Sequence, residues 1–352
     1  MRGVSMVSGL RQPGVVAALV AALLFGASAP LAKLLLATID PWLLAGLLYL
    51  GSGLGLTIYR RMRHLPTVSL SRSEWLWFGG AIVSGGVVGP VLLMVGLTQM
   101  PASGASLLLS AEGVFTALLA WFVFKENFDW RIALGMASIA AGAIVLVWPD
   151  RAEFAGMLPA FAVLGACLAW GIDNNLTRKV ALADATWIAS VKGLAAGLVN
   201  TCLALSLGSA LPTAANALGA MLIGLLAYGV SLTLFVAGLR HLGTARTGAY
   251  FAIAPFFGAL MALAMGEHIT WQLAVAAPLM AWGTWLHLTE QHIHKHPHEP
   301  IEHEHEHAHD AHHQHDHDGP VPSGTVHRHR HRHEALSHSH GHYPDAHHRH
   351  GH

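Results

Sequence analysis

A carboxylate lies in the middle of a long apolar segment, at Glu112. No Lys or Arg stands within one helical turn of it along the chain. An ionised side chain at the centre of a bilayer costs roughly 3 kcal/mol on insertion scales, so such a residue is a functional-site hypothesis by default. We interpret Glu112 as a group that binds a proton or a cation on a transport pathway. The alternative is that it only holds two helices together.

A second polar group interrupts an apolar run that begins near residue 157. It consists of Asp173, Asn174 and Asn175, and the cations Arg178 and Lys179 follow it. The two amides could offer neutral donors and acceptors to a ligand. Asp173 could instead reach the membrane interface. We predict that these three residues line the pathway of a substrate or coupling ion.

Two further cations lie within predicted membrane segments, Lys33 in the outer part of the first and Lys192 in the inner part of the seventh. Lys192 matches Asp173 in depth, so the two could form a pair. We include both lysines among the pathway residues. The alternative for each is a snorkelling stem or a structural ion pair.

The composition is that of a membrane protein, with 53% hydrophobic and 11% charged residues. A soluble domain carries about 25% charged residues. The formal net charge is zero, which gives no reason to expect nucleic acid as a partner. The predicted segments hold no nucleophile–base pair and no paired metal ligands, so we expect neither an enzyme nor a required cofactor. The first apolar run resumes after Lys33, which argues against a cleaved signal peptide and for a spanning helix.

Apolar runs separated by short loops predict an all-α membrane protein with ten transmembrane helices, because only helices or closed barrels satisfy the backbone in lipid. The Lys and Arg residues concentrate in alternate loops, which places both termini in the cytoplasm of a bacterial inner (cell) membrane. The predicted helices cover residues 14–38, 41–60, 75–98, 102–124, 130–148, 155–177, 185–206, 215–239, 245–266 and 270–289.

The two halves of the chain repeat. Phe25-Gly26 is followed by Lys33, and Trp170-Gly171 is followed by Arg178, with the cation seven residues after the glycine in both. Because five helices separate the copies, the second is inverted in the membrane, as in many secondary transporters whose site lies between the repeats. The segment Phe115–Ala120 in the fourth helix likewise matches Phe256–Met261 in the ninth.

These motifs resemble the drug/metabolite transporter superfamily, specifically its EamA-type permeases. The resemblance implies two five-helix repeats, alternating access and, usually, export of small metabolites. It marks Gly26, Gly171, Arg178, Glu126, Glu267 and Pro255 as motif or helix-end residues. We divide the chain into a short cytoplasmic N-terminus (1–13), an EamA-like repeat of helices one to five (14–149), a second repeat of helices six to ten (153–289) and a tail (291–352).

The chain departs from the family pattern in two places. The fourth helix has Glu112-Gly113-Val114 where the ninth has Ile253-Ala254-Pro255, so the usual proline is replaced and a carboxylate stands nearby. The second helix carries Gly46–Leu50, where relatives often have an arginine. The substrates of arginine-bearing relatives therefore do not transfer to this chain.

The tail is rich in His, Glu and Arg and cannot build a hydrophobic core, so we expect it to be disordered. Alternating His and carboxylate suit Ni²⁺, Co²⁺, Zn²⁺ or Cu²⁺. An HExxH match at 303–307 carries no weight, because repeated His-Glu produces it by accident. The candidate metal ligands are His303, His305, His307, His309, His312, His313, His315, His317, His327, His329, His331 and His333.

Three functions compete. The first is a secondary-active exporter of a small solute, coupled to protons or another ion. The second is a divalent-metal permease that collects ions on its tail, although no His stands mid-span. The third belongs to another class, a membrane-anchored metal sensor or chelator. The expected partners are the lipid bilayer, a small-molecule or ion substrate, transition-metal ions at the tail and a second copy of the chain.

Overall fold

A computed structural model gives the fold. It describes residues 13–124, 130–148, 157–180, 183–242 and 244–288, together with four tail segments at 292–297, 302–307, 327–332 and 337–342. Two units result, the helical body up to Glu290 and the tail from Gln291.

The described residues of the body form ten helices, α1 to α10, which confirms the predicted all-α fold. Five of them are composed of shorter segments. Their bounds are α1, Pro13–Gly26 and Ser28–Leu35; α2, Pro41–Met62; α3, Arg72–Ala81, Ile82–Val88 and Gly89–Gln99; α4, Ala102–Leu108 and Ala111–Phe124; α5, Trp130–Val147; α6, Leu158–Thr177; α7, Ala185–Ser206; α8, Ala214–Gly224, Leu225–Val230 and Ser231–Leu242; α9, Thr244–Phe251 and Ala254–Ala264; α10, Trp271–Leu288.

Six helices are long and apolar enough to cross a membrane within the described residues. Two shorter apolar helices accompany them, at Ala133–Val147 and Ala254–Ala264. The long ones are Pro13–Leu35, Pro41–Met62, Arg72–Gln99, Ala102–Val123, Ala185–Ser206 and Ala214–Gly238.

Small residues let α2 and α7 approach closely. A Cβ added at Gly193 would lie 2.7 Å from Gly53 Cα, so neither helix can carry a side chain at this contact. Leu43, Leu44 and Leu48 of α2 are fully buried. The core of the body therefore extends along α2.

The third helix of each half contains a π-helical segment, Ile82–Val88 in α3 and Leu225–Val230 in α8. The fourth helix of each half is broken, α4 at Leu109–Ser110 and α9 at Ala252–Ile253. Pro255 in the first turn after the α9 break explains that interruption, because proline removes a backbone donor. The sequence predicted neither the π segments nor the α4 break. These irregularities occur at matching places in the two halves.

Within the tail, the structure describes four short strand segments. These are β1, His292–Pro297; β2, Glu302–His307; β3, His327–Arg332; and β4, Ser337–His342, with β1 antiparallel to β4 and β2 antiparallel to β3. In the β2–β3 register each Glu stands opposite an Arg and each His opposite a His. Period-two sequences of this kind suit antiparallel pairing because opposite charges across strands stabilise it.

Candidate functional site

The site forms where α6 crosses α4. Gly171 lies at the crossing, and a Cβ added there would come 3.0 Å from Phe115 Cβ and 3.1 Å from the Thr116 amide nitrogen. Asn175, one turn further along α6, donates from Nδ2 to the Thr116 carbonyl oxygen at 3.1 Å and to the Gly171 carbonyl oxygen at 2.9 Å. A family-motif glycine and a buried amide thus hold the two halves together.

Glu112 lies beside this crossing and accepts a hydrogen bond of 2.8 Å from Asn174 Nδ2. The same amide nitrogen lies 3.2 Å from Thr116 Oγ1. Glu112 occupies the first turn of the second α4 segment, where the helix dipole favours negative charge. No cation of the described residues lies within ion-pair distance of Glu112. The carboxylate is therefore held by neutral donors.

Space remains next to this carboxylate. A Cβ added at Gly113 would meet no atom within 4 Å, and Asn174 is exposed. The Ser110 hydroxyl is buried and makes no hydrogen bond within the described residues. A ligand at this position would meet a carboxylate and an amide.

Asp173 forms a separate pair with Lys192. Lys192 Nζ lies 2.6 Å from Asp173 Oδ1 and 2.8 Å from Oδ2, and Thr177 Oγ1 donates to Oδ1 at 2.8 Å. Asp173 is buried and Lys192 is partly buried. The pair joins α6 to α7 and is neutral as a unit.

The π segment of α3 exposes carbonyl oxygens to side chains of other helices. Tyr49 Oη and Trp170 Nε1 each donate to the Gly85 carbonyl oxygen at 2.9 Å. Asn200 Nδ2 donates to the Gly86 carbonyl oxygen at 3.2 Å. A π-helical turn frees such carbonyls from the regular ladder, and these bonds satisfy them. They also fix the Tyr49 hydroxyl group in place.

A row of aromatic rings continues from Tyr49. Its ring centroid lies 5.5 Å from that of Tyr228, which lies 6.0 Å from that of Phe25. Phe25 in turn lies 5.4 Å from Phe251, and Phe251 lies 4.9 Å from Phe235. All five are partly buried. The row joins α2, α8, α1 and α9, so both halves contribute to it.

Lys33 lies in a different cluster, at the end of α1. Its ammonium donates to the carbonyl oxygens of Leu97 (3.1 Å) and Met100 at the end of α3. Glu267 is nearby and accepts from the amides of Ala102 (2.7 Å) and Ser103 (2.9 Å) at the start of α4. Predicted pathway residue Lys33 is thus a helix-end contact in this structure, apart from Glu112.

The position of Glu267 depends on Gly266, whose φ is +103°. The amides of Gly266 and Glu267 donate back to Leu263 and Ala262, which closes α9 with a glycine in the left-handed region. Burial alone would raise the pKa of Glu267, but hydrogen bonds from Ser103 and Ala102 and the charge of Lys33 lower it below its ordinary value of 4.5. The carboxylate is stabilised in its charged form.

Sequence reasoning missed a second link between the halves. Arg60 at the end of α2 is buried and donates to Asp184 at 2.5 Å and to Thr186 at 2.6 Å, both at the start of α7. Burial opposes ionisation of Asp184, yet bonds from Thr186 and the Trp187 amide together with Arg60 lower its pKa. The signal in the sequence was an acidic N-cap before α7, with Asp184 three residues ahead of Trp187.

The remaining predicted residues divide as follows. Gly26 contacts Ala254 and Gly258 across halves, and Arg178 forms the turn after α6. Glu126 and tail residues His309, His312, His313, His315, His317 and His333 lie outside the described residues. The described residues contain no group of three or more His, Cys, Asp or Glu that could hold a metal ion.

The sequence profile of the EamA-like transporter family matches twice, over residues 12–148 and 157–289. A protein of Methanothermobacter thermautotrophicus described as an uncharacterized transporter is 28% identical over 272 residues, which is 71% of this chain and 78% of that protein. A crystal structure with 18% sequence identity superposes with a TM-score of 0.57, covering 78% of this chain and 97% of that one. Its likeness concerns the fold.

Two relatives with more specific names match over shorter stretches. A probable amino-acid metabolite efflux pump of Escherichia coli is 32% identical over 82 residues, 23% of this chain and 27% of the pump. A probable 4-amino-4-deoxy-L-arabinose-phosphoundecaprenol flippase subunit of Pseudomonas fluorescens is 40% identical over 75 residues, 21% of this chain and 63% of the subunit. The matched stretch thus spans about a quarter of the length of the pump.

Proposed function

The chain belongs to the EamA-like transporter family, and from that premise we propose that it exports a small solute carrying a cationic amino group, by alternating access coupled to a proton or another ion. The family consists of membrane transporters rather than enzymes, so a lipid bilayer and a small-molecule substrate are its partners. Location in a bacterial inner membrane, with both termini cytoplasmic, is part of the proposal, as is assembly with a second copy.

The contact between Glu112 and Asn174 carries this proposal. It joins α4 of the first half to α6 of the second at 2.8 Å, and inverted-repeat transporters bind substrate between their repeats. A relative movement of the halves would break this bond and change which side of the membrane reaches the carboxylate. Glu112 is therefore our candidate for the coupling residue.

The charge distribution favours a cationic group in the solute. Lys192 already neutralises Asp173, whereas the donors at Glu112 are neutral. A cationic amine would complete the pairing of Glu112, and the Tyr49 and Tyr228 rings nearby could interact with it through their faces. The efflux pump and the flippase subunit similar to parts of this chain are both named for amino-bearing compounds.

Solute flux in proteoliposomes tests the proposal. The purified full chain would be reconstituted with a panel of small primary amines, each matched with its hydroxyl analogue. We expect flux of amines, dependent on a proton or ion gradient, and at least a tenfold loss in Glu112→Gln. The matched control is Glu74→Gln, since Glu74 lies in a capping box at the start of α3. Unchanged flux in folded Glu112→Gln, or equal flux of the hydroxyl analogues, would contradict the proposal.

A divalent-metal permease is the second candidate, and the tail is the reason to retain it. The register between β2 and β3 places His303 opposite His331, His305 opposite His329 and His307 opposite His327. Imidazoles suit Ni²⁺, Co²⁺, Zn²⁺ and Cu²⁺. Cellular metal content would be measured with the full chain, with a chain stopped after Glu290 and with Glu112→Gln. A change that needs Glu112 supports metal transport, whereas metal proportional to the tail alone reduces the tail to a chelator or sensor.

A further inference from the structure

A cavity of about 660 Å³ opens where α2 ends, beside the loop that leads to α3 and the first turns of α7. Arg61 and His64 stand at its polar side. Trp187, Val191 and Leu194 of α7 form its apolar side. The cavity thus combines positive charge with an apolar wall, and it lies away from Glu112 on the face predicted to be cytoplasmic.

Arg60 lines the cavity, but its guanidinium is bonded to other residues of the protein and is not available to a ligand. Its guanidinium donates to Asp184, to Thr186 and, at 2.8 Å, to the Pro66 carbonyl oxygen. These bonds fasten the loop to α7. Arg61 is the next residue and is exposed, and its side chain makes no hydrogen bond or ion pair within the described residues. Its guanidinium therefore has its full donor capacity left for an anion.

The chain turns at His64, directly after the end of α2. Its φ is +49°, in the left-handed region, and its amide donates to the Arg61 carbonyl oxygen. The Leu65 amide donates to the Arg60 carbonyl oxygen, which ends α2 and turns the chain back toward α7. The turn leaves the exposed His64 side chain beside Arg61 on the cavity. Two groups that can bind phosphate therefore stand at one end of it.

The apolar side of the cavity runs along α7 into the membrane span, as the acyl chain of a membrane lipid would. Trp187, Val191 and Leu194 are spaced at i, i+4 and i+7 along α7, so they share one face of the helix. That face runs from the end of the helix into the membrane span. Leu198, one turn further, is 55% exposed and continues the apolar surface. A ligand with a charged head and a long apolar tail fits this arrangement better than a freely soluble anion.

We propose that this cavity binds an anionic phospholipid, with the phosphate on Arg61 and His64 and an acyl chain along Trp187, Val191 and Leu194. The residues from 60 to 72 include four arginines and no Asp or Glu. Basic pockets between transmembrane helices on the cytoplasmic side are suited to such head groups, because that leaflet carries anionic lipid. The site is independent of the proposed transport function.

The test compares Arg61 with Arg63, an exposed arginine two residues away that does not line the cavity. The full chain would be placed in nanodiscs of phosphatidylcholine with or without phosphatidylglycerol, and retained lipid counted by native mass spectrometry. We expect preferential retention of phosphatidylglycerol, lowered at least fivefold in Arg61→Gln and unchanged in Arg63→Gln. His64→Asn should lower it as well, and Asn tolerates the left-handed backbone.

Thermal unfolding in pure phosphatidylcholine nanodiscs verifies that each variant folds. Equal losses in Arg61→Gln and Arg63→Gln would mean that only general surface charge attracts the lipid, which overturns the site. A second experiment tests inorganic phosphate in place of the lipid. If phosphate added to phosphatidylcholine nanodiscs raises the unfolding temperature as much as phosphatidylglycerol does, and Arg61→Gln abolishes both effects, the cavity binds a soluble anion and the lipid assignment is wrong.

Discussion

Two helix crossings lie at equivalent positions of the two halves, α1 on α9 at Gly26 and α6 on α4 at Gly171. Both place a motif glycine against the broken fourth helix of the opposite half. The residues that follow the glycines differ in chemistry. The first crossing continues with Ser28-Ala29-Pro30, and the second with Asp173-Asn174-Asn175.

The partner helices differ in the same sense. Ile253 precedes the α9 contact, and Glu112 occupies the corresponding position in α4. Close approach of the backbones is thus common to both crossings, whereas carboxylates and side-chain amides are found at only one of them among the described residues. The comparison indicates that the close crossing itself, which both halves share, requires only a glycine at the contact. The candidate site is an asymmetric addition to that scaffold.

The largest effect is expected from breaking the buried pair at the polar crossing. Asp173→Asn would leave Lys192 without its charged partner inside the membrane region, at a cost of about 3–5 kcal/mol. Adding Lys192→Met should restore most of the stability, because no uncompensated charge then remains. Unfolding of the purified variants in detergent would measure this. Ser28→Ala, at the equivalent position of the other crossing, is the control and should cost only about 1 kcal/mol, because it removes one neutral hydrogen bond, to Tyr228.

The second effect concerns the glycines themselves. A Cβ at Gly26 would collide with the Ala254 carbonyl oxygen, part of the backbone, whereas a Cβ at Gly171 would stand 3.0 Å from the nearest atom. We expect Gly26→Ala to cost about 3 kcal/mol and Gly171→Ala about 1 kcal/mol. The yield of monodisperse protein and its melting temperature would rank them. The reverse order would show that the polar crossing is the tighter one.

We expect Asn174→Ala to affect stability less than the loss of the buried pair or the substitution of Gly26. Its main effect should be on transport. Asn174 is exposed and its amide bonds Glu112 across the halves, so its loss should cost about 1 kcal/mol or less. Flux should fall several-fold because Glu112 loses the donor that positions it. Thr98→Ala is a suitable control, since that hydroxyl bonds only within α3. If Asn174→Ala keeps wild-type flux, transport does not depend on the hydrogen bond between Asn174 and Glu112.

The smallest effect is expected for the helix-end cluster of Lys33 and Glu267. The folded pKa of Glu267 lies below 4.5, so its stabilisation is present above that pH and is lost as pH falls through the folded pKa. In Glu267→Gln, stability should therefore fall less steeply as the pH is lowered below 5. Melting temperatures across that range would measure the difference, and identical slopes in both proteins would contradict it.

Much of this organisation could be predicted from the sequence. The ten apolar segments, the doubled glycine motif and the exceptional carboxylate at Glu112 are visible there, because hydropathy and spacing are local properties of the chain. The break before Ala111 could not be predicted, since no proline marks it. The π segment at Ile82–Val88 is followed by Pro90, but a proline indicates an interruption of the helix and not its π-helical form. Lys33 was predicted to lie on the pathway, and the structure places its ammonium at the end of α1, where it donates to carbonyl oxygens at the end of α3.

The sequence by itself determined the membrane class, the number of helices, the repeat and the presence of ionisable groups at membrane depth. Only the tertiary structure decided which of these groups meet. Asp173 is partnered by Lys192 on the next helix, while Glu112 bonds Asn174, 62 positions away along the chain. The physical reason is that helix periodicity fixes the face on which a residue lies, whereas close packing at the glycine crossings fixes the opposing helix and the depth of contact.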